Sequence, residues 1–266
     1  MKELISTKNR ALLSELVRTD FKLRYQGSIL GYMWSILKPL LLFVILYVVF
    51  VYFLKIGKDV PHFPVYLLLG IVLWNFFTEM TVQSLGSIVG RGDLIRKIRI
   101  PRWMIVFSSS ISASINLCLS LIVVAIFAII NGVELTPFVL LLPLNILFIY
   151  LFALGLSFFL AAAYVKFRDI SYIWEVILQA GFYATPIIYP LSMIDSVLVQ
   201  KILLLNPMAM AIQDARFNVV THETVTTSSL LGGSWYMIIP FLVVVAVFVG
   251  GVFYFKSQAK SFAENI

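Results

Sequence analysis

The chain has 266 residues, of which 61% are hydrophobic and only 12% are charged. Soluble domains have about half apolar and about a quarter charged residues, so this composition excludes an ordinary soluble domain and indicates an integral membrane protein. The net charge of +7 does not indicate a nucleic-acid partner, because the basic residues flank apolar stretches, as they do where charge sets membrane topology.

The arm that precedes the first apolar stretch lacks the apolar core of a signal peptide. Four leucines of the segment Ala11–Leu23 fall on one side of a helix, and Glu15, Arg18 and Lys22 fall on the opposite side. Only Asp20 interrupts the apolar side. We therefore predict an amphipathic helix that lies along the cytoplasmic membrane interface.

Charge-poor stretches long enough to cross about 30 Å of hydrocarbon predict six spans. They cover residues 33–54, 64–83, 103–131, 137–163, 171–189 and 235–255 of a single membrane domain, 1–266, with an arm over 1–32 and a tail over 256–266. The apolar stretch Ile202–Gln213 is too short to cross and contains Pro207, so the outer region 190–234 is predicted to hold a re-entrant or interfacial element. The predicted fold is an all-α integral membrane protein with six transmembrane helices.

Lysine and arginine are distributed unevenly between the two sides that these spans create. With the N-terminus inside, 16 of the 20 fall on the cytoplasmic side. Cytoplasmic loops of membrane proteins carry such an excess, so both termini are predicted to be cytoplasmic.

The stretch Gly90–Trp103, between the second and third predicted spans, contains five Lys and Arg residues. Asp93 is predicted to cap a short helix there, which Pro101 ends. In this helix, an aliphatic ridge consists of Leu94, Ile95 and Ile98, and the basic residues form a face beside it. Anionic lipid headgroups and a groove on a partner protein would each fit this pattern, and the residues alone favour neither.

The sequence holds no catalytic or metal-binding constellation. It lacks a phosphate-binding loop, a zinc-binding H-E-x-x-H pair and a pair of cysteines, since Cys118 is the only one. Lys38, Glu79 and Glu175 lie near the predicted cytoplasmic ends of spans, where snorkelling or ion pairing explains them as well as substrate handling does. We therefore expect no catalytic site, no cofactor and no metal on this chain.

Four segments together resemble one family of membrane proteins. They are Asp20–Leu42, with the letters DFKLRYQGSILGYMWSILKPLL; Tyr164–Pro190, which contains FRDI and ends in PIIYP; Leu205–Arg216, which begins LNP; and the C-terminal SFAENI. The combination resembles the ABC-2 type permeases that export polysaccharides, and it follows the whole chain in order. Among these permeases, the sequence is most similar to those that translocate wall teichoic acid.

The resemblance implies a half-transporter in the bacterial plasma membrane, in which two copies of this chain join two copies of a separate ABC ATPase that binds ATP and Mg²⁺. In that family a coupling helix after the second span sits in a groove of the ATPase, which favours the partner groove over lipid headgroups. The implied ATPase contacts are Asp93, Leu94, Ile95, Arg96, Lys97, Ile98 and Arg99 in the coupling helix, and Lys166, Arg168 and Asp169 in the next cytoplasmic turn.

The resemblance also implies a cargo, a polymer carried on an undecaprenyl-pyrophosphate lipid. Candidate hydrogen-bond donors to the pyrophosphate are Arg18, Lys22, Arg24 and Lys38. Taken singly, each of these cations is explained better by topology or by headgroup binding. Family members have short gate helices outside the membrane before the last span, and the corresponding residues here are Asn206, Pro207, Met208 and Met210.

The predicted function is ATP-driven export of wall teichoic acid through a path between the first and fifth spans of a homodimer. Export of O-antigen or capsular polysaccharide is the alternative with the same motifs, and an ABC-2 permease for drugs or small lipids is a further one with the same fold. An ion-coupled carrier is the alternative of a different class, although such a carrier would place several ionisable groups near the middle of its spans.

Overall fold

The computed structural model describes residues 7–25, 27–28, 30–57, 59–97, 100–134, 136–259 and 262, except for the side chains at positions 7, 8, 21, 23–25, 32 and 96. Over this part the chain is helical and has no strand, which confirms the predicted all-α class. The helices are α1 (Thr7–Tyr25), α2 (Trp34–Tyr47), α3 (Phe63–Ser87), α4 (Gly92–Lys97), α5 (Trp103–Ile130), α6 (Leu142–Lys166), α7 (Ile170–Ala184), α8 (Val197–Leu204), α9 (Pro207–Val219), α10 (Thr227–Leu231) and α11 (Ile239–Gln258).

Within the described residues, five helical stretches are long and apolar enough to cross a membrane. They are Trp34–Phe53, Phe63–Ser87, Trp103–Ile130, Pro137–Lys166 and Trp235–Gln258. The first joins α2 to a π-helical segment, and the last two begin with short 3-10 turns that lead into α6 and α11. The chain is therefore a multi-pass membrane protein.

The helix found at the predicted fifth span, 171–189, is shorter than predicted. α7 has 15 residues. Its length is about 22 Å at about 1.5 Å per residue, which falls short of the roughly 30 Å of hydrocarbon. The helix ends because Thr185 is extended and Pro186 follows it, and a proline disfavours helical backbone in the residue before it. A sixth crossing is therefore not confirmed.

α3 is the central helix of the bundle. Its buried residues lie on every side, and Val65, Leu67, Leu69 and Ile71 have no exposed surface. It packs against α5 and α6, and α6 in turn packs against α11. A helix that is apolar all round requires a core or lipid on each face, and α3 finds this environment within the protein.

α6 and α11 approach each other closely where Gly155 faces Gly251. A methyl group on Gly251 would overlap the backbone oxygen of Gly155, and a methyl group on Gly155 would overlap the backbone of Phe248. Gly250, by contrast, faces open space. Small residues let membrane helices approach to this distance, so the pairing of α6 with α11 depends on these two glycines.

The bundle has two distinct ends. The first, here called the basic end, is where α3, α6 and α11 end and α5 begins. It carries Arg91, Arg102, Lys166, Arg168 and Lys256. At the opposite end, the loop before α3, the turn after α5 and the end of α9 surround a small cavity whose lining includes His62, Gly132 and His222.

Candidate functional site

The short helix α4 lies at the basic end, where the coupling helix was predicted. It starts at Gly92 and continues directly from a 3-10 turn, so Asp93 lies in its first turn and does not cap it as predicted. Of the predicted contact residues, Ile98 and Arg99 lie outside the described residues, as does the side chain of Arg96.

The aliphatic side of α4 faces its own bundle. Leu94 and Ile95 are half-buried, and Ile95 lines a cavity of about 780 Å³ together with Trp103. Asp93 and Lys97 are exposed. The surface that α4 offers to a partner is therefore mainly its charged side, whereas part of the predicted aliphatic ridge serves packing within the chain.

A polar cluster joins α1, the turn before α4 and the start of α5. Asp20 on α1 forms a salt bridge with Arg91 and accepts a hydrogen bond from it. Arg91 Nη1 donates to Ser108 Oγ at 3.1 Å, and Ser108 Oγ lies 3.2 Å from Asp20 Oδ2. The Arg91 and Asp20 side chains are 15% and 22% exposed, so the pair is screened less than a surface salt bridge. Asp20, which interrupts the apolar side of α1, thus links this helix to the turn that precedes α4.

The other predicted coupling contact is the turn between α6 and α7. Lys166, Arg168 and Asp169 are all exposed there, as a contact with a partner requires. The Lys166 ammonium lies 5.3 Å from the Phe167 ring centroid, and the Arg168 guanidinium lies 5.2 Å from that of Tyr164. These distances are within the range of cation–π attraction, which orients both cations at the surface.

The predicted pyrophosphate ligands lie on two separate elements. Arg18 and Lys22 are exposed on α1, which packs against α5 through its buried face around Leu16. Lys38 is on α2, and the side chain of Arg24 lies outside the described residues. Among the described residues, no contact joins Lys38 to the cations of α1, and a shared site for the four candidates stays a prediction.

Lys38 instead lines a polar cavity of about 370 Å³ between α2, α3 and α5. Other polar lining residues include Thr78, Glu79, Gln83 and Asn116. Gln83 Nε2 donates to Glu79 Oε1 at 2.7 Å, and Asn116 Nδ2 donates to the same oxygen. Ionisable groups within membrane spans are costly, so a cluster of this kind indicates either a structural network or a site.

The predicted gate segment forms two helices, α8 and α9, which meet at Asn206. Asn206 caps α9, since its side chain accepts a hydrogen bond from the backbone N–H of Met208 at 3.0 Å. Pro207, Met208 and Met210 are all buried, with Met208 at 2% exposure. α9 is therefore packed into the protein, and three of the four predicted gate residues are part of that packing.

The sequence alone does not reveal the role of Arg216, a fully buried residue of α9. Its guanidinium donates to three backbone oxygens, those of Tyr66 at 3.0 Å, Pro186 at 2.5 Å and Ile187 at 2.6 Å. It also donates to Gln213 Oε1 at 3.1 Å and lies 3.7 Å from the centroid of the Tyr66 ring. Arg216 thus connects α9 to α3 and to the irregular segment that follows α7.

Space for this guanidinium is provided by Gly70 of α3, because a methyl group there would overlap Arg216 Nη2. Burial lowers the pKa of Arg216, but an arginine in a protein keeps its charge. The partners are mainly backbone oxygens, which every residue carries, so no sequence pattern identifies them.

Asp214 lies two residues earlier on α9 and is half-buried. Burial raises its pKa from 3.8 to about 6, and a hydrogen bond from the backbone of Thr227 opposes this shift. The carboxyl group of Asp214 therefore titrates near pH 6, and it lies outside the candidate membrane-spanning helices.

These features define a helical membrane protein with a central buried helix and short connections at a basic end. The sequence matches the ABC-2 type transporter family over residues 11–220, and the chain belongs to this family. It is 30% identical to an O-antigen export system permease protein of Myxococcus xanthus, over 97% of this chain and 96% of the relative. It is also 30% identical to an O-antigen export system permease protein of Klebsiella pneumoniae, over 74% of this chain and 76% of the relative.

Proposed function

We propose that this chain is the membrane subunit of an ATP-driven exporter that moves a lipid-linked polysaccharide of the O-antigen type out of the cytoplasm. Family membership implies a partner ABC ATPase, and the relatives named above are permeases for O-antigen. The sequence motifs rank wall teichoic acid first, but the relatives favour the O-antigen alternative. Specificity for wall teichoic acid stays a prediction.

The observation that carries the proposal is a stripe of polar and aromatic residues on α7. Tyr172, Glu175, Gln179 and Tyr183 are all exposed, and their spacing of three or four residues places them on one face of the helix. A carboxylate and an amide that faced lipid in the membrane would be unfavourable. Facing a hydrated path, the same groups would hydrogen-bond to sugar hydroxyls, and the tyrosine rings would stack on sugar rings.

A second copy of the chain would enclose such a path. The stretch Trp34–Phe53, which contains α2, is the least buried of the five apolar stretches, and α7 buries only Trp174 and Leu178. These two helices correspond to the first and fifth predicted spans. We infer that they face each other across a homodimer and line the route of the polymer.

In the proposed mechanism, force reaches this path from the basic end, which the excess of Lys and Arg predicts to be cytoplasmic together with both termini. ATP binding would bring together two ATPase subunits that contact α4 and the turn Lys166–Asp169. Because the Asp20–Arg91 salt bridge joins the α4 connection to α1, a displacement of α4 would also move α1. ATP favours one state through its different affinity for the ATPase in the two states, and no covalent chemistry takes place on this chain.

At the opposite end, α8 and α9 would form the outer gate. Arg216 holds α9 to the segment after α7, so a shift of α7 would be transmitted to this gate. At the cytoplasmic side, Arg18, Lys22, Arg24 and Lys38 stay the proposed ligands of the lipid pyrophosphate, as charge-assisted hydrogen-bond donors.

Reconstitution tests the proposal. The chain would be copurified with its ATPase, placed in liposomes and supplied with fluorescent O-antigen on undecaprenyl pyrophosphate. We expect transport that requires ATP and is abolished by a hydrolysis-deficient ATPase. Transport of drugs or small lipids without transport of the glycan would establish the small-molecule permease instead. Transport by this chain without an ATPase would establish an ion-coupled carrier.

A further inference from the structure

Two residues that line the polar cavity between α2, α3 and α5 each have a buried side-chain oxygen without a hydrogen-bond partner among the described residues, Thr78 Oγ1 and Asn116 Oδ1. Asn116 is 3% exposed, and its amide nitrogen is already committed to Glu79. An unpaired buried oxygen is unfavourable because it has lost its hydrogen bonds to water, and native proteins contain few. Two in one cavity therefore indicate that something else satisfies them.

The two atoms have complementary hydrogen-bonding capacity. The Asn116 oxygen only accepts, whereas the Thr78 hydroxyl donates and accepts. A ligand with two hydroxyl groups matches the hydrogen-bonding capacity of this pair, because one hydroxyl donates to Asn116 and the other donates to or accepts from Thr78. An inorganic cation or an ammonium group would be bound by both oxygens as acceptors but would leave the hydrogen of the Thr78 hydroxyl without a partner.

The lining of the cavity adds two further features. Trp34, which is 43% exposed, and Lys38, which is exposed, both contribute from the first span, whereas Thr78 and Asn116 belong to α3 and α5. An indole offers a flat apolar face to a sugar ring, and an ammonium group favours a phosphate. The volume of about 370 Å³ is at the lower end of the usual range for small-ligand sites, about 300–1,000 Å³.

We infer that this cavity binds the first sugar of the lipid-linked polymer, with its hydroxyl groups on Asn116 and Thr78 and its phosphate directed to Lys38. The inference rests on the proposed function and adds to it a place where the reducing end of the glycan is held within one chain, separate from the stripe on α7. The same diol chemistry is also present in a phosphatidylglycerol headgroup, which the experiment distinguishes.

The test uses the chain in complex with its ATPase in phosphatidylcholine nanodiscs. The probes are farnesyl pyrophosphate that carries one N-acetylglucosamine and farnesyl pyrophosphate without a sugar. The main variant is Thr78→Val, which removes a hydroxyl without a partner and should leave the fold intact. The matched control is Thr81→Val, one turn along α3, whose hydroxyl is already paired with the Phe77 oxygen and the Trp174 indole.

We expect the native complex to bind the sugar-bearing probe more tightly than the sugar-free probe. Thr78→Val should weaken binding of the sugar-bearing probe about three- to tenfold, the usual effect of losing one hydrogen bond, and should not change binding of the sugar-free probe. Thr81→Val should lower stability and leave both affinities unchanged. Asn116→Leu should weaken binding of the sugar-bearing probe at least as much as Thr78→Val does.

Equal affinities for the two probes, or an unchanged affinity of Thr78→Val, would overturn the inference. Loss of sugar-probe binding when phosphatidylglycerol replaces phosphatidylcholine would also overturn it, by assigning the diol to a lipid headgroup. Transport assays separate the two proposals. If the native complex exports the glycan while Thr78→Val binds normally, only the sugar site fails; if the native complex exports no glycan, the proposed function fails.

Discussion

Arg216→Met tests whether one buried cation holds α9 to the segment after α7. Methionine keeps an unbranched apolar side chain but removes the donors to the backbone oxygens of Tyr66, Pro186 and Ile187. The Tyr66 backbone oxygen lies within α3 and keeps its helical hydrogen bond. The backbone oxygens of Pro186 and Ile187 are therefore the ones left without a donor. An unpaired buried acceptor costs about 1–3 kcal/mol, which gives a total of about 2–6 kcal/mol.

Removal of a buried charge offsets part of this loss, because desolvation of the guanidinium no longer opposes folding. We therefore expect a net destabilisation of about 2–4 kcal/mol, which corresponds to a fall in melting temperature of roughly 5–15 °C. The measurement is the thermal unfolding of the purified chain in detergent, followed by intrinsic tryptophan fluorescence.

Two further variants sharpen this experiment. Gly70→Ala should lower the melting temperature by a smaller amount, because the new methyl group displaces the guanidinium without removing it. Lys201→Met, at a half-exposed position of α8, should change stability by less than about 0.5 kcal/mol. An Arg216→Met protein that melts within about 2 °C of the native chain would refute the reasoning.

Gly251→Ala should lower the melting temperature by several degrees through overlap with α6, whereas Gly250→Ala should not; equal effects would contradict the packing of α6 on α11. Asp20→Asn weakens the salt bridge to Arg91 and should reduce ATP-driven export more than ATP hydrolysis in the assembled transporter, and a proportional loss of both activities would count against transmission through α1. The pKa of Asp214 is about 6 in the folded chain against 3.8 ordinarily, so the folded state binds the proton more tightly and stability falls as pH rises from about 4 to about 6. The free energy of unfolding should fall by about 1–3 kcal/mol over this pH range. Melting curves at several pH values should show that Asp214→Asn abolishes this fall. A native chain whose melting temperature does not depend on pH would contradict the raised pKa of Asp214.

The helical class and the apolar stretches are predictable from the sequence, because long runs without charge have few alternatives in a membrane. The residue at which α7 ends is harder to predict from the sequence. Pro186 is visible in the sequence, but apolar residues continue beyond it, and hydropathy alone extends the helix to residue 189. Backbone stereochemistry ends the helix sooner than hydropathy predicts.

The polar contacts are not predictable for a different reason. Asp20 and Arg91 are 71 residues apart, and Ser108 is 88 residues from Asp20, so no local pattern joins them. In the sequence of α1, Asp20 only interrupts the apolar side of the helix. Its partners, Arg91 and Ser108 of α5, come next to it only in the folded chain. Arg216 is a stronger case, since its acceptors belong to the backbone. The predicted gate residues Met208 and Met210 are apolar, as lipid-facing residues also are, so their type does not reveal that they are buried in the structure.

Sliding of α6 along α11 would replace the contact of Gly155 with Gly251 by larger residues, for which the two backbones are too close. In the proposed exporter, α3, α6 and α11 therefore keep their spacing, and the path widens by sideways displacement of α2 and α7 into the surrounding bilayer. Such a displacement would do work against the lateral pressure of the acyl chains. In the proposed exporter, bilayer thickness and acyl-chain order would therefore affect the transport rate, alongside the supply of ATP.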